Sequence, residues 1–262
     1  MSRVGETFKV LRERGEGALV LFVTAGDPAL GELPAILDAL ADGGADLIEV
    51  GVPFSDPIAD GPTIQASSQR ALDSGVTFQG VLDGVRGFDR APVLLMGYCN
   101  TFFRRGVDAT LGAMRDAGVR GTIVSDLIPE EAGAWIAASE KAGLDHVFLA
   151  APTSTDARLK TVCESSSGFV YAVSRTGVTG AGSAVPLEVG SLVSRLKKAT
   201  DKPVCVGFGI SKPEHVRSVC AVADGAVVGS WLVDLLHREW SGGAGRAELV
   251  KAVRALKDAT RA

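Results

Sequence analysis

Three acids, Glu49, Asp56 and Asp60, are the residues whose types and spacing could do chemistry. Glu49 interrupts an apolar run, residues 45–51, close to its C-terminal end. A loop broken by Pro53, Pro57, Gly61 and Pro62 follows, and a helical pattern opens at Thr63. Apolar strands that feed helices are usually buried on both faces, so a carboxylate inside one is costly unless it is paired, protonated or used. Asp56 and Asp60 fall just beyond, where parallel α/β folds build their sites. The same residues would also serve a plain structural purpose, Glu49 as a hydrogen-bonded core carboxylate and the loop acids as turn formers. A buried acid at a strand end beside such a loop tips the reading towards function.

Glycine supplies the second set. Residues 176–183, the triplet Gly207-Phe208-Gly209 and the pair Gly229-Ser230 are each rich in it. Glycine lets backbone N–H groups approach an anion closely, and a helix start adds its positive end. One such pair is a weak signal; three at consecutive strand ends point to a phosphorylated small molecule. The segment 175–183 would also suit a lid that excludes water. The three histidines, His146, His215 and His237, fall at a strand start or within helices, so no histidine metal site is visible. Lys202 precedes a strand and Lys212 opens a helix, which leaves a Schiff base without an obvious nucleophile. Neither a serine-hydrolase elbow nor a dinucleotide fingerprint is present. What remains is acid–base chemistry by carboxylates on a phosphorylated substrate, without metal or cofactor.

The elements that must position these groups alternate. Strand-like runs cover 18–24, 45–51, 92–98, 121–125, 146–150, 168–174, 203–207 and 225–229, with amphipathic segments between them. Eight strands, each followed by a helix, specify parallel pairing with right-handed crossovers. A length of 262 residues suits a (β/α)8 TIM barrel, which needs about 250. The expected fold is therefore α/β, one barrel domain over 1–262, with an extra N-terminal helix at 4–14 and an extra helix near the C-terminus. A doubly wound sheet is the main rival. In a barrel the site gathers the strand ends: Phe22 and Thr24, Glu49 and Asp60, Tyr98 and Asn100, Asp126, Pro152 and Thr153, Tyr171 and Arg175, then the late glycines.

Bulk composition excludes other classes. A hydrophobic share of 46% with 22% charged residues is ordinary for a globular chain with a large core. The net charge of -4 and the lack of a basic block argue against nucleic acid or anionic membrane as partner. Neither a signal peptide nor a membrane span is apparent. Cys99, Cys163, Cys205 and Cys220 form no C-x-x-C and read as reduced thiols, so a cytoplasmic location is expected.

The run from Glu49 to Gln65, EVGVPFSDPIADGPTIQ, closely resembles the signature of the tryptophan synthase alpha subunit family. Ser174-Arg175-Thr176-Gly177-Val178-Thr179-Gly180, Val206-Gly207-Phe208-Gly209-Ile210-Ser211 and Gly229-Ser230 resemble it too, in the right order. The resemblance covers essentially the whole chain. It implies cleavage of indole-3-glycerol phosphate to indole and glyceraldehyde 3-phosphate, a retro-aldol reaction. Glu49 would then take the proton from the glycerol hydroxyl and assist protonation of indole C3. Asp60 would stabilise positive charge at the indole nitrogen, and a strand-buried Glu49 beside a loop Asp60 suits that division. Thr179 matches the lid threonine that meets the aspartate. Gly180, Gly209, Gly229 and Ser230 match the phosphate site, and Phe22, Ile64, Leu95, Leu127 and Tyr171 should line the indole pocket. Without the resemblance those apolar residues would read as ordinary barrel core.

The resemblance also implies a partner, a pyridoxal phosphate-dependent beta subunit in an alpha2beta2 heterotetramer, with no cofactor on this chain. Segments 53–60, 100–106 and 175–185 should face it. The chain departs from the family pattern at Asn100-Thr101, where Asn-Pro is common, and in the uncharged run Gly182-Ser183-Ala184-Val185. A standalone lyase and a silent barrel that only activates a beta subunit are the alternatives.

Overall fold

The computed structural model describes residues 2–173, 187–207 and 209–261. Its first strand shows why a barrel forms. β1 (Ala18–Thr24) is buried at all seven positions, so both of its faces need cover. A helix precedes it, α1 (Arg3–Glu13), whose N-cap Ser2 accepts the amide of Gly5 at 3.2 Å. After β1 come α2 (Leu33–Gly43), β2 (Leu47–Gly51), α3 (Pro62–Asp73), α4 (Phe78–Val85) and β3 (Val93–Gly97). The chain continues through α5 (Cys99–Phe103), α6 (Val107–Asp116), β4 (Gly121–Val124), α7 (Gly133–Ala142), β5 (Asp145–Val147) and β6 (Leu149–Ala150). It then runs through α8 (Asp156–Ser165), β7 (Val170–Val173), α9 (Leu187–Ala199), β8 (Val204–Gly207) and α10 (Pro213–Cys220). Last come β9 (Gly225–Val228), α11 (Ser230–Glu239) and α12 (Arg246–Asp258). Glycines in the left-handed region close two helices, Gly44 at φ 100 and Gly143 at φ 71.

Every strand pair is parallel, in the order β5-β4-β3-β2-β1-β9-β8-β7-β6. β5 and β6 are consecutive in the chain, separated by Phe148 alone, so the two ends of that order meet and the sheet closes. The single fifth strand expected over 146–150 is thus divided. Its first half pairs with β4 and its second with β7, and the carbonyl of Phe148 accepts Tyr171 N–H at 3.2 Å between them.

Two apolar layers result. Val20, Leu47, Leu94, Ile123, Val147 and Val227 fill the barrel interior. Val4, Phe8 and Leu11, one face of α1, stop its N-terminal end, with Phe8 and Phe169 ring centroids 5.8 Å apart. Leu19, Leu21, Val50, Leu95 and Val124 belong to the outer layer, packed with helix residues such as Leu37, Leu82 and Leu111. Each fully buried side chain of this kind contributes about 1.5–3 kcal/mol of transfer free energy. Low in the structure Lys257, 7% exposed, bridges Asp46 at 2.9 Å and Glu16 at 3.1 Å, and Asp46 also accepts Leu19 N–H at 2.7 Å. Those contacts tie α12 to the starts of β1 and β2.

Candidate active site

Glu49 points into the barrel because Leu47, two residues earlier, does so. Strand register sets Glu49 beside Phe22 of β1 and Leu94 of β3. Its side chain is fully buried and, among the described residues, neither carboxyl oxygen has a hydrogen-bond partner. Burial alone pushes its pKa from the ordinary 4.5 to about 8. A carboxyl so placed holds its proton at neutral pH yet stands within reach of giving it up, which is the condition for a proton-exchanging group.

Above this row a cavity of about 450 Å3 opens at the C-terminal ends of the strands, within the size range of small-molecule sites. Phe22, Ile64, Met96, Tyr171, Val173 and Val227 form its apolar wall. Two glycines make room for the rings. A Cβ on Gly207 would lie 2.5 Å from the Tyr171 hydroxyl, and one on Gly51 would lie 2.5 Å from the tip of Phe22. The same cavity is lined by Gly207, Gly209, Ser211, Gly229 and Ser230. Ser230 opens the ten-residue α11 with Gly229 as its N-cap. A helix start and glycine backbone suit an anion.

Asp60 stands on the rim, in the loop before α3. Its carboxylate accepts the Tyr98 hydroxyl at 3.0 Å, while the same hydroxyl accepts Ala59 N–H at 3.0 Å. The loop itself is largely exposed, while Asp60 is half-buried within it. Burial pushes the Asp60 pKa upward, opposed by the Tyr98 hydrogen bond. Behind the loop, Arg70 of α3 donates to both carboxylate oxygens of Asp27 at 2.9 and 2.7 Å, and the hydroxyls of Thr24 and Ser67 share a 2.7 Å hydrogen bond. These pin α3, and with it Ile64, to the end of β1. Asp56 lies outside the cavity lining, exposed and hydrogen-bonded to Ser55 at 2.5 Å, in keeping with a turn residue.

Phe22, Asp60, Ile64, Tyr171, Gly209, Gly229 and Ser230 therefore surround one cavity, with Glu49 buried in the strand beside it. Two expectations for the apolar wall are corrected. Leu95 faces the helices, because Leu94 and Met96 on either side of it take the inward positions, and Met96 lines the cavity instead. Leu127 lies past the end of β4 and packs in the outer layer, while Ile123 is the inward residue of that strand. Thr179 and Gly180 lie outside the described residues, as does Arg175. Met96 and Trp231 were not singled out beforehand, nor was Tyr98 as the partner of Asp60. The register partner Glu49↔Leu94 is the signal that fixes β3's facing, and it is a pairing between strands.

Fold and site together define a (β/α)8 barrel with two carboxyl groups at a strand-end cavity partly lined by glycine. The family model of the tryptophan synthase alpha chain matches residues 8–261. The tryptophan synthase alpha chain of Geobacter sulfurreducens is 47% identical over 262 residues, covering 99% of each chain. That of Burkholderia mallei is 48% identical over 242 residues, 91% of this chain and 89% of the relative. Among solved structures, a Mycobacterium tuberculosis tryptophan synthase chain aligns with a TM-score of 0.92 at 39% identity, covering 100% of this chain and 99% of that one. The tryptophan synthase alpha subunit of Legionella pneumophila aligns at 0.90 and 32% identity, covering 99% and 98%. The chain belongs to the tryptophan synthase alpha chain family.

Proposed function

We propose that the chain cleaves indole-3-glycerol phosphate to indole and glyceraldehyde 3-phosphate, with Glu49 and Asp60 as its catalytic residues. The observation that carries the residue assignment is Glu49 itself, a buried carboxyl beside the cavity with no hydrogen-bond partner among the described residues. The reaction needs one proton delivered to indole C3 and one removed from the glycerol hydroxyl while the carbon–carbon bond between them breaks. A single carboxyl that exchanges protons near neutral pH serves both transfers and returns to its starting state. Its pKa of about 8 suits that exchange. Protonation at C3 places positive charge on the ring nitrogen, and an ionised Asp60 at the rim offsets it. Phe22, Ile64, Met96 and Tyr171 supply the flat apolar wall for the indole, and Gly209, Gly229 and Ser230 the phosphate end. Proton transfers suffice for this chemistry, so the chain's own side chains carry it.

The family membership carries with it a beta-subunit partner, which would hold the pyridoxal phosphate of the second reaction. Among the described residues no helix is long and apolar enough to cross a membrane, and the proposed compartment is the cytoplasm. The deciding experiment is indole release from indole-3-glycerol phosphate by the purified chain, with and without a beta subunit. Weak release that the beta subunit strongly stimulates is the expected result. Brisk release that the beta subunit leaves unchanged would make it a standalone lyase. No release in either case would overturn the catalytic reading.

A further inference from the structure

Among the described residues the Tyr98 hydroxyl is the one group that joins the Asp60 carboxylate to the barrel frame, and we propose that Tyr98 is the positioning residue that keeps Asp60 ionised and in place at the cavity rim. The proposal rests on Asp60 acting in the lyase reaction above. The hydrogen-bond arithmetic is specific. An amide N–H only donates, so the contact from Ala59 at 3.0 Å uses a lone pair of the phenol oxygen and leaves its proton free. The Asp60 carboxylate oxygen lies 3.0 Å away and receives that proton. A hydrogen bond donated to a carboxylate favours its charged form.

The phenol is held from several sides. Tyr98 is 3% exposed, and its ring stacks on Phe54 with centroids 4.9 Å apart and planes 24° apart. The next residue, Cys99, donates its amide to the Asp126 carboxylate at 2.7 Å, which anchors the start of α5 to the end of β4. Tyr98 therefore links the loop after β2 to the ends of β3 and β4. Among the described residues the titratable groups around Asp60 are Tyr98 itself, Tyr171 and Glu49 deeper in the barrel, Asp126 beyond Tyr98, and Asp56 on the same loop. Burial and the charges of Asp60 and Asp126 raise the Tyr98 pKa, so the phenol keeps its proton through the working range.

Tyr98→Phe keeps the ring on Phe54 and removes only the hydroxyl. The full chain with its beta subunit is assayed for kcat, KM and their pH dependence with indole-3-glycerol phosphate. Separately, the Asp60 carboxyl is titrated by 13C NMR in the parent chain and in the variant. The expected result is a kcat lower by about tenfold, the scale of a lost hydrogen bond to a charged group, with a smaller change in KM. Asp60 should titrate at higher pH in the variant. Adding Tyr98→Phe to Asp60→Asn should cause no further loss, because the hydroxyl acts through the carboxylate. An unmoved Asp60 titration, or an undiminished second loss in the double variant, overturns the proposal. If the parent chain releases no indole, the lyase reading fails while the titration still decides what Tyr98 does to Asp60.

Discussion

Glu49 holds two carboxyl oxygens without a partner among the described residues inside an apolar barrel, and that arrangement costs stability in a pH-dependent way. Its folded pKa of about 8 lies above the ordinary 4.5, so the native chain keeps a proton that the unfolded chain releases. Stability is therefore undiminished by this group below about pH 4.5, falls as pH rises through the interval, and levels off above about pH 8. Glutamine fills the same space and carries no titrating proton. Glu49→Gln should abolish turnover, by about a thousandfold or more, yet gain stability relative to the parent as pH rises. Between pH 5 and pH 8 the gain should be on the order of 3 kcal/mol at 1.36 kcal/mol per pKa unit. Denaturant melts of both chains across that range test it. Parallel stability profiles would place the Glu49 pKa near its ordinary value, and substantial turnover by the variant would remove it from catalysis.

At the scale of elements, β8 shows how a missing side chain shapes the site. A methyl group on Gly207 would sit 2.5 Å from the Tyr171 hydroxyl and 2.6 Å from its ring, so the ring must move. Gly207→Ala should raise KM by about tenfold, a loss of about 1.4 kcal/mol of binding, and lower kcat less, because the tyrosine forms the substrate wall and no proton passes through it. Steady-state kinetics separate the two constants, and an unchanged KM would show that the wall tolerates the shift. The strands and the helices after them were legible because period and punctuation agree along the whole chain. Glu49 was legible for the same reason, a charge in an otherwise apolar strand. The facing of β3 was not. Leu94, Leu95 and Met96 are all apolar, and a strand buried on both faces carries no alternation to read. Leu127 failed similarly, since past the end of β4 the chain turns and strand parity no longer holds. The division of β5 from β6 depends on which neighbour each half meets, and Tyr98 gains its partner only when the loop after β2 folds over the end of β3.

At the scale of the whole molecule the two ends of the barrel carry separate duties. Phe8, 5% exposed, helps α1 close the N-terminal end and lies outside the cavity lining, with Phe169 between it and Tyr171. Phe8→Ala should cost about 3–5 kcal/mol, a fall in Tm of roughly 10 °C, with KM unchanged. Loss of substrate affinity in the folded variant would mean that the two ends communicate. The C-terminal end, by contrast, is the one left apolar. Of six exposed large hydrophobic side chains among the described residues, four follow strand ends there: Ile58, Phe103, Ile128 and Leu187, with Ile58 84% and Leu187 93% exposed. Single exposed apolar residues need no explanation, but four around one mouth suit a surface that a partner covers. The proposed beta subunit would sit there, where it could close the site and receive its product. Ile128, 41% exposed and outside the cavity lining, tests this cleanly. Ile128→Asp should leave the activity of the isolated chain as it was. The beta-subunit concentration needed for half-maximal stimulation should rise about tenfold or more, because a charge buried at an interface without a partner costs at least 1.4 kcal/mol. A stimulation curve that superimposes on the parent's would put the partner on another face of the barrel.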